Sequence, residues 1–379
     1  MKFLVFVLLK PCRYVTLLLQ NQTNNPMKKL LLATLAMLAI ACSSDDETKD
    51  LYECNNVYVG DVVLRSQAEV DAFAANDYCS VQGNMVIGSK NDDELSDIVS
   101  LVRLMSLKGV KGNLDIANNP QLESLEGLNN MVEVFQFNIS NNAVLKNLQG
   151  LKSLVHLGAF TLEKLPLLTS LEGLENVKKI EVLSIAYNEK LISLQGFKNL
   201  TYSYLTQIHD NDALLTLKGA EQLKEVAYLQ VYRNRSIADF EGIEGVSKIM
   251  EVVISENDGL LSLEGLHNLH SIELLTITDN KLLQSIKGLR GLTQFEFISS
   301  GNQLTINENE SLESLEGLEN VNRFKGYLEI YDNEKLKDFC AIKQMFVPDS
   351  NNFDVSATIF SNPYSPTWED FQAGNCSQP

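Results

Sequence analysis

Eight glycines, Gly127, Gly150, Gly173, Gly196, Gly219, Gly242, Gly265 and Gly288, stand 23 residues apart along the chain. A fixed period of this size means one supersecondary unit stacked on copies of itself, each burying its apolar face against its neighbours. The functional question therefore moves from which residues catalyse to which surface binds.

One clear copy of the unit runs from Ile180 to Phe197. Its first half fits L-x-x-L-x-I-x-x-N-x-x-L, in which alternating Leu183 and Ile185 read as a short strand with both side chains inward. The second half, L-x-S-L-x-G-L-x-N-L, supplies a second inward row through Leu191, Leu194, Phe197 and Leu200. An asparagine recurs at Asn119, Asn142, Asn188, Asn211, Asn234, Asn257, Asn280, Asn309 and Asn333. An amide turned inward at a corner can satisfy backbone groups that the turn would otherwise orphan, so these residues are expected to form a structural ladder. The glycine is expected to relieve crowding where the chain bends after the second row. Two departures stand out. Leu165 replaces the asparagine of its turn, and the spacing from Gly288 to Gly317 grows to 29. The longer spacing places a loop near Glu296–Gly301, either a partner-binding protrusion or a tolerated insertion.

The N-terminal region reads as a targeting segment. Met27-Lys28-Lys29 and the apolar run Leu30–Ile40 have the charge and length of a secretory leader and are short for a membrane span. Translation is expected to start at Met27, with 1–41 forming the leader. Leu38-Ala39-Ile40-Ala41-Cys42 resembles the lipobox of bacterial lipoproteins, which implies lipidation of Cys42; Ile40 departs from the small residue usual there. The acidic stretch from Ser43 to Glu47, within an expected tether at 42–53, is similar to the tag that exports some lipoproteins to the outer face of the outer membrane. An ordinary secretory leader followed by a solvated linker is the alternative.

Charge follows the same division. The chain has 31 basic and 49 acidic residues, and five of the basic ones precede Cys42 while no acidic one does. Without the leader, 26 basic residues face 49 acidic ones, a net charge of −23. Such a surface repels nucleic acid and anionic lipid and favours basic partners.

Apart from Cys12 and Cys42, the cysteines fall in two pairs at the two ends of the array, and in an exported chain these read as Cys54–Cys79 and Cys340–Cys376 disulfides. Each would staple a cap, since a solenoid's terminal turns otherwise expose apolar faces and strand edges. The N-terminal cap with the first turn is placed at 54–103, the repeats at 104–340 and the C-terminal cap at 341–379. Ser66-Gln67-Ala68-Glu69 is a capping box opening a helix through Val70 and Phe73. Trp368, the only tryptophan, is expected to plug the final turn.

Laid out in this way, the sequence resembles the receptor L-domain-like, leucine-rich-repeat family of bacterial surface lipoproteins. The resemblance rests on Gly60 to Phe73, the Gly83-Asn84 and Gly112-Asn113 strand openings, the L-x-S-L-x-G-L turns, and the stretches Asn362–Thr367 and Gly374–Ser377 near the end. It spans about residues 54–377 and implies a mainly β, right-handed parallel solenoid with disulfide-bonded caps. An arc-shaped leucine-rich-repeat horseshoe is the alternative that the consensus also permits. About ten turns at ~4.8 Å would give a body roughly 50 Å long. Because repeats of this kind serve unrelated partners, the resemblance implies no particular ligand.

No catalytic set is visible. The four histidines are scattered, and no phosphate loop, nucleophile elbow or H-E-x-x-H sequence occurs. The reading is non-enzymatic, with no cofactor and no metal. A binding face is better marked: Tyr187, Tyr202, Tyr204, Gln207, His209, Tyr228, Gln230, Tyr232 and Arg233 fall on outward positions of adjoining turns, and tyrosine and arginine suit recognition of protein or sugar. The ligand-binding set is drawn as Tyr187, Tyr204, His209, Tyr228, Tyr232 and Arg233. The bland alternative is that exposed aromatics simply suit a strand surface. The expected function is that of a surface-exposed, lipid-anchored adhesin or receptor-like protein. A periplasm-facing scaffold, an accessory glycan-capture component of a nutrient-uptake system and, last, a hydrolase are the alternatives.

Overall fold

The computed structural model describes residues 52–91, 93–296, 302–346 and 355–378. The leader, Cys12, Cys42, most of the acidic tether and loop positions 297–301 lie outside the described residues.

The strands are β1 (Val57–Val59), β2 (Val62–Leu64), β3 (Ser80–Gln82), β4 (Met85–Gly88), β5 (Gly109–Ala117), β6 (Glu133–Ser140), β7 (His156–Glu163), β8 (Lys179–Ala186), β9 (Tyr202–His209), β10 (Glu225–Tyr232), β11 (Glu251–Ser255), β12 (Ser271–Ile272), β13 (Leu274–Thr278), β14 (Gln294–Phe295), β15 (Asn302–Asn307), β16 (Gly326–Tyr331) and β17 (Val355–Phe360). Fifteen of them form one sheet, and β12 pairs with β14 separately. Every pairing between named strands is parallel. A parallel neighbour needs a crossover, and here the remainder of each turn supplies it. The result is a parallel β-solenoid of about twelve turns with a 23-residue period. The count exceeds ten because β1 to β4 and β17, inside the two caps, pair into the same sheet.

Register follows the repeat. Leu183, Thr206, Leu229, Val252 and Leu275 form one inward column, and Ile185, Ile208, Val231, Ile254 and Ile277 the next. Both columns are buried. The row Leu191, Leu194, Phe197 and Leu200 closes the core from the far side. That row is not a continuous strand. It runs through turns, isolated bridges such as Ser262 to Ser285, and short 3-10 segments such as Gln149–Leu151 and Lys287–Leu289, tied to the preceding turn by bonds such as Leu215 N–H to the Ile192 carbonyl at 3.1 Å. The longer helices lie in the caps, unlike the helical outer wall of a horseshoe: α1 (Gln67–Ala74), opened by the Ser66–Glu69 capping box, and α2 (Trp368–Ala373).

The asparagine ladder forms as the spacing predicts. Each amide oxygen accepts the backbone N–H of the asparagine one turn earlier, as from Asn188 to Asn211 at 3.1 Å, and each amide nitrogen reaches a carbonyl of the preceding strand, as from Asn211 to Ile185 at 2.9 Å. Leu165 breaks the column. Its own N–H still donates to Asn188 at 3.1 Å, but it offers no amide to Asn142. The ends differ from the interior. Ser96 donates its hydroxyl to Asn119 at 2.6 Å, and Asn333 passes its N–H to Asn362, whose own N–H ends on the Ser365 hydroxyl.

The repeated glycines answer a different constraint from the one expected. A Cβ at Gly242 would lie 2.3 Å from the Leu217 carbonyl oxygen, so the crowding comes from the backbone of the preceding turn. The other seven spaced at 23 all show an equal or closer approach, and φ is +109° at Gly242. Both disulfides form as expected, with Cα separations of 5.6 Å for Cys54–Cys79 and 4.8 Å for Cys340–Cys376. Trp368 is only the outermost part of the plug, its ring edge-on to Phe346 at 5.4 Å. It is 42% exposed, and Phe346 and Phe371, stacked at 4.0 Å, fill the end of the core.

Candidate functional site

The residue just before each ladder position adopts a left-handed backbone without being glycine: φ is +55° at Tyr187, +55° at Asp210, +54° at Arg233, +55° at Glu256 and +52° at Asp279. That conformation costs roughly 1–2 kcal/mol in an ordinary L-residue. The ladder amide that follows is buried and fully engaged, so the corner is held in place from inside. The non-glycine residue is then presented outward at the same angle on every turn. A second outward column, Glu189, Asp212, Arg235, Asp258 and Lys281, lies beside the first, and the two line a groove of about 300 Å³.

Opposite charges meet along these columns at a separation of one turn. Arg233 engages Asp210 in a two-point contact, Nε to Oδ1 at 2.9 Å and Nη2 to Oδ2 at 2.7 Å. Arg235 pairs with Asp212 and Lys281 with Asp258, each at 3.5 Å. Fork-on-carboxylate geometry makes the first the strongest of the three.

Asp210 is also the hub of the aromatic cluster. Its Oδ2 lies 2.7 Å from His209 Nδ1. The His209 ring stacks on Tyr232 with centroids 4.6 Å apart and planes 6° from parallel, while Tyr187 meets it edge-on at 5.5 Å. Arg233 lies over the Tyr232 ring at 4.8 Å. Burial pushes His209 below the usual imidazole range, against the pull of Asp210. The imidazole is then neutral near pH 7, with its Nδ1 hydrogen directed at the carboxylate. Burial pushes the Asp210 carboxyl upward, but the hydrogen bonds from Arg233 and His209 outweigh it and hold the group below the usual carboxylate range.

The structure therefore brings Tyr187, His209, Tyr232 and Arg233 together at the C-terminal ends of β8 to β10. Tyr204 and Tyr228 form a separate pair, edge to face at 5.3 Å, towards the start of β9 and β10. Burial, and then the neighbouring Tyr204, push the Tyr228 hydroxyl up to about 12. Between the two groups runs a chain of amides: Gln207 Nε2 donates to Gln230 Oε1 at 2.8 Å, and Gln230 Nε2 to Glu251 Oε1 at 3.3 Å. Glu251 is buried on this outer face, and burial raises its carboxyl above the usual range.

Asp210 and Glu251 are the residues of this face that sequence reasoning missed. Asp210 was legible in principle, because an acid and an arginine one period apart must meet in a parallel stack. Glu251 breaks the outward pattern without any marker of burial. The rings of Tyr187 and Tyr232 flank His209, and Arg233 and His209 together hold the Asp210 carboxylate. Comparison of the chain with known protein families, characterised proteins and solved structures finds no match.

Proposed function

We propose that this chain is a non-enzymatic binding protein, anchored through a lipid on Cys42 to the bacterial outer membrane and exposed at the cell surface, which takes a protein or glycan ligand on the outer face of its solenoid. The observation that carries the binding face is the cluster built on Asp210. Its aromatic rings are partly exposed, yet each is fixed by stacking, by a cation over the ring or by the His–Asp bond. Rings held in place before the ligand arrives lose little conformational freedom on binding. The repeat consensus and its likeness to receptor L domains support a binding role, and the lipobox-like Cys42 with the acidic residues after it supports the location.

Two measurements test the reading. Protease shaving of intact cells should release peptides from 104–340 without lysis; protection until the outer membrane is opened would replace it with a periplasm-facing scaffold. A glycan array and a peptide display library then distinguish the ligand classes. Tyr232→Ala should weaken whichever ligand emerges by about tenfold or more, as a hot-spot aromatic does. Unchanged binding in both Tyr232→Ala and Tyr228→Ala would discard the face.

A further inference from the structure

Each turn exposes one position directly after the first inward leucine of its second row. In outer turns it is charged, as at Glu123, Lys146, Glu313 and Lys337. In four consecutive central turns it is Ile192, Leu215, Ala238 and Leu261. The backbone is the same in both cases, since Lys146 N–H bonds to the Glu123 carbonyl as Leu215 N–H does to Ile192. The fold itself thus places no demand for an apolar side chain here. Yet Ile192 is 50% exposed, Leu215 53% and Leu261 46%. These are the turns whose corners carry the Asp210 cluster, but the stripe lies on a different surface, beyond the charged groove.

Acids outnumber bases on both flanks of the stripe, and on the groove side Arg233, Arg235 and Lys281 are each paired with an aspartate. On the groove side Glu189 and Glu256 have no ion-pair partner among the described residues. On the other side stand Asp239, Glu241 and Glu244, opposed by Lys218, which pairs with Glu241, and by Lys198. Asp239 is raised above the usual carboxylate range by burial, which outweighs the backbone hydrogen bond it accepts from Glu241. Adjacent turns set the apolar side chains ~4.8 Å apart. One face of an α-helix repeats every ~5.4 Å, whereas same-face side chains of an extended strand are ~6.6 Å apart. Three half-exposed aliphatic residues fall far short of the ~800 Å² per partner that a stable dimer needs, so a second copy is the poorer occupant.

We infer that the Ile192–Leu215–Ala238–Leu261 stripe docks an amphipathic helix of a protein partner, aliphatic along one face and basic on its flanks, laid along the solenoid axis. This goes beyond the aromatic face, which it does not require.

The probe is a fluorescein-labelled amphipathic Leu/Lys peptide of about 18 residues, long enough to cover the stripe as a helix. A scrambled peptide of the same composition lacks the apolar face. Fluorescence anisotropy should show saturable binding of the first peptide and binding weaker by at least about tenfold for the second. Combining Ile192→Thr, Leu215→Gln and Leu261→Gln installs uncharged polar residues of the kind found at this position in Thr169 and Gln284. An unchanged circular dichroism melt verifies the fold, and affinity should fall by at least about tenfold. Tyr232→Ala should leave peptide binding intact. Absence of binding, equal binding of the scrambled peptide, or equal affinity in the triple variant would each overturn the proposal. Loss with Tyr232→Ala alone would transfer binding to the aromatic face.

Discussion

Replacing Asn211 by alanine tests how much of the fold rests on the ladder. The residue is fully buried. Its Oδ1 accepts the Asn188 N–H at 3.1 Å and the Asn188 amide at 3.2 Å, while its Nδ2 donates to the carbonyls of Ile185 and His209, both at 2.9 Å. The His209 carbonyl keeps the Tyr187 N–H as a partner at 3.3 Å, whereas the Asn188 N–H loses its ladder acceptor and the Ile185 carbonyl its ladder donor. Each buried group stranded in this way costs about 1–3 kcal/mol, so Asn211→Ala should destabilise by about 3–5 kcal/mol. Asn188 supplies an internal comparison, because it follows the break. It accepts one hydrogen bond, from Leu165, where Asn211 accepts two. Asn188→Ala should therefore cost about 1–2 kcal/mol less. Urea unfolding followed by circular dichroism gives the global value. Hydrogen exchange across 180–235 gives the local one, which matters because a stacked array need not unfold in a single step. A cost below about 1 kcal/mol for Asn211→Ala, or equal costs for the two variants, would refute the reasoning.

Three other outcomes follow from the geometry. Gly242→Ala forces a methyl to within 2.3 Å of the Leu217 carbonyl oxygen at a φ of +109°, and it should lower stability by about 3 kcal/mol or more in the same urea titration. Glu308 is exposed and holds a φ of +58°, so Glu308→Gly should raise stability by about 0.5–1 kcal/mol; a loss would mean that the left-handed corner is not strained. Glu251→Gln tests the buried acid by its pH dependence. Burial raises the folded-state pKa above the ordinary glutamate range, so the stability is full below that range and declines as pH rises through the folded value. The variant should gain over the wild type at pH 8 and show no gain at pH 4, and a pH-independent difference would remove the carboxyl as the cause.

The architecture was legible because a 23-residue period admits few folds, and the inward leucines and ladder asparagines fell where that period puts them. The ladder's two ends were not read, although Ser96 lies 23 residues before Asn119 and Asn362 lies 29 after Asn333. A hydroxyl can replace an amide at the start, and an insertion hides the spacing at the finish. The left-handed column left only a partial trace: asparagine and aspartate, which favour that conformation, hold it at Asn118, Asn141, Asp210, Asp279 and Asp332, but tyrosine, arginine, lysine and glutamate interrupt them. The glycines carried the right weight for a reason that a single turn does not reveal, since the clashing carbonyl belongs to another copy. On the outer face, periodicity gathered Tyr187, His209, Tyr232 and Arg233, which the structure brings into one cluster. Which of them touch, and that Asp210 joins them, depended on side-chain geometry that no repeat pattern contains.

The hydrogen bonds between ladder positions all run one way, each backbone N–H reaching forward to the amide of the following turn, except at Asn142, where Leu165 follows. The stack is therefore a polar chain in the sense that an α-helix is, with a first residue that only gives and a last that must find a substitute acceptor. Ser96 and Ser365 fill those two offices, and they are not exchangeable. An inner turn, by contrast, receives from one side what it passes on to the other, so removing or duplicating one leaves its neighbours' bonding unchanged. Length is thus a free variable of this molecule, while the two ends of its stack are not, and a lineage can change how far the sheet extends without redesigning how the stack begins or ends.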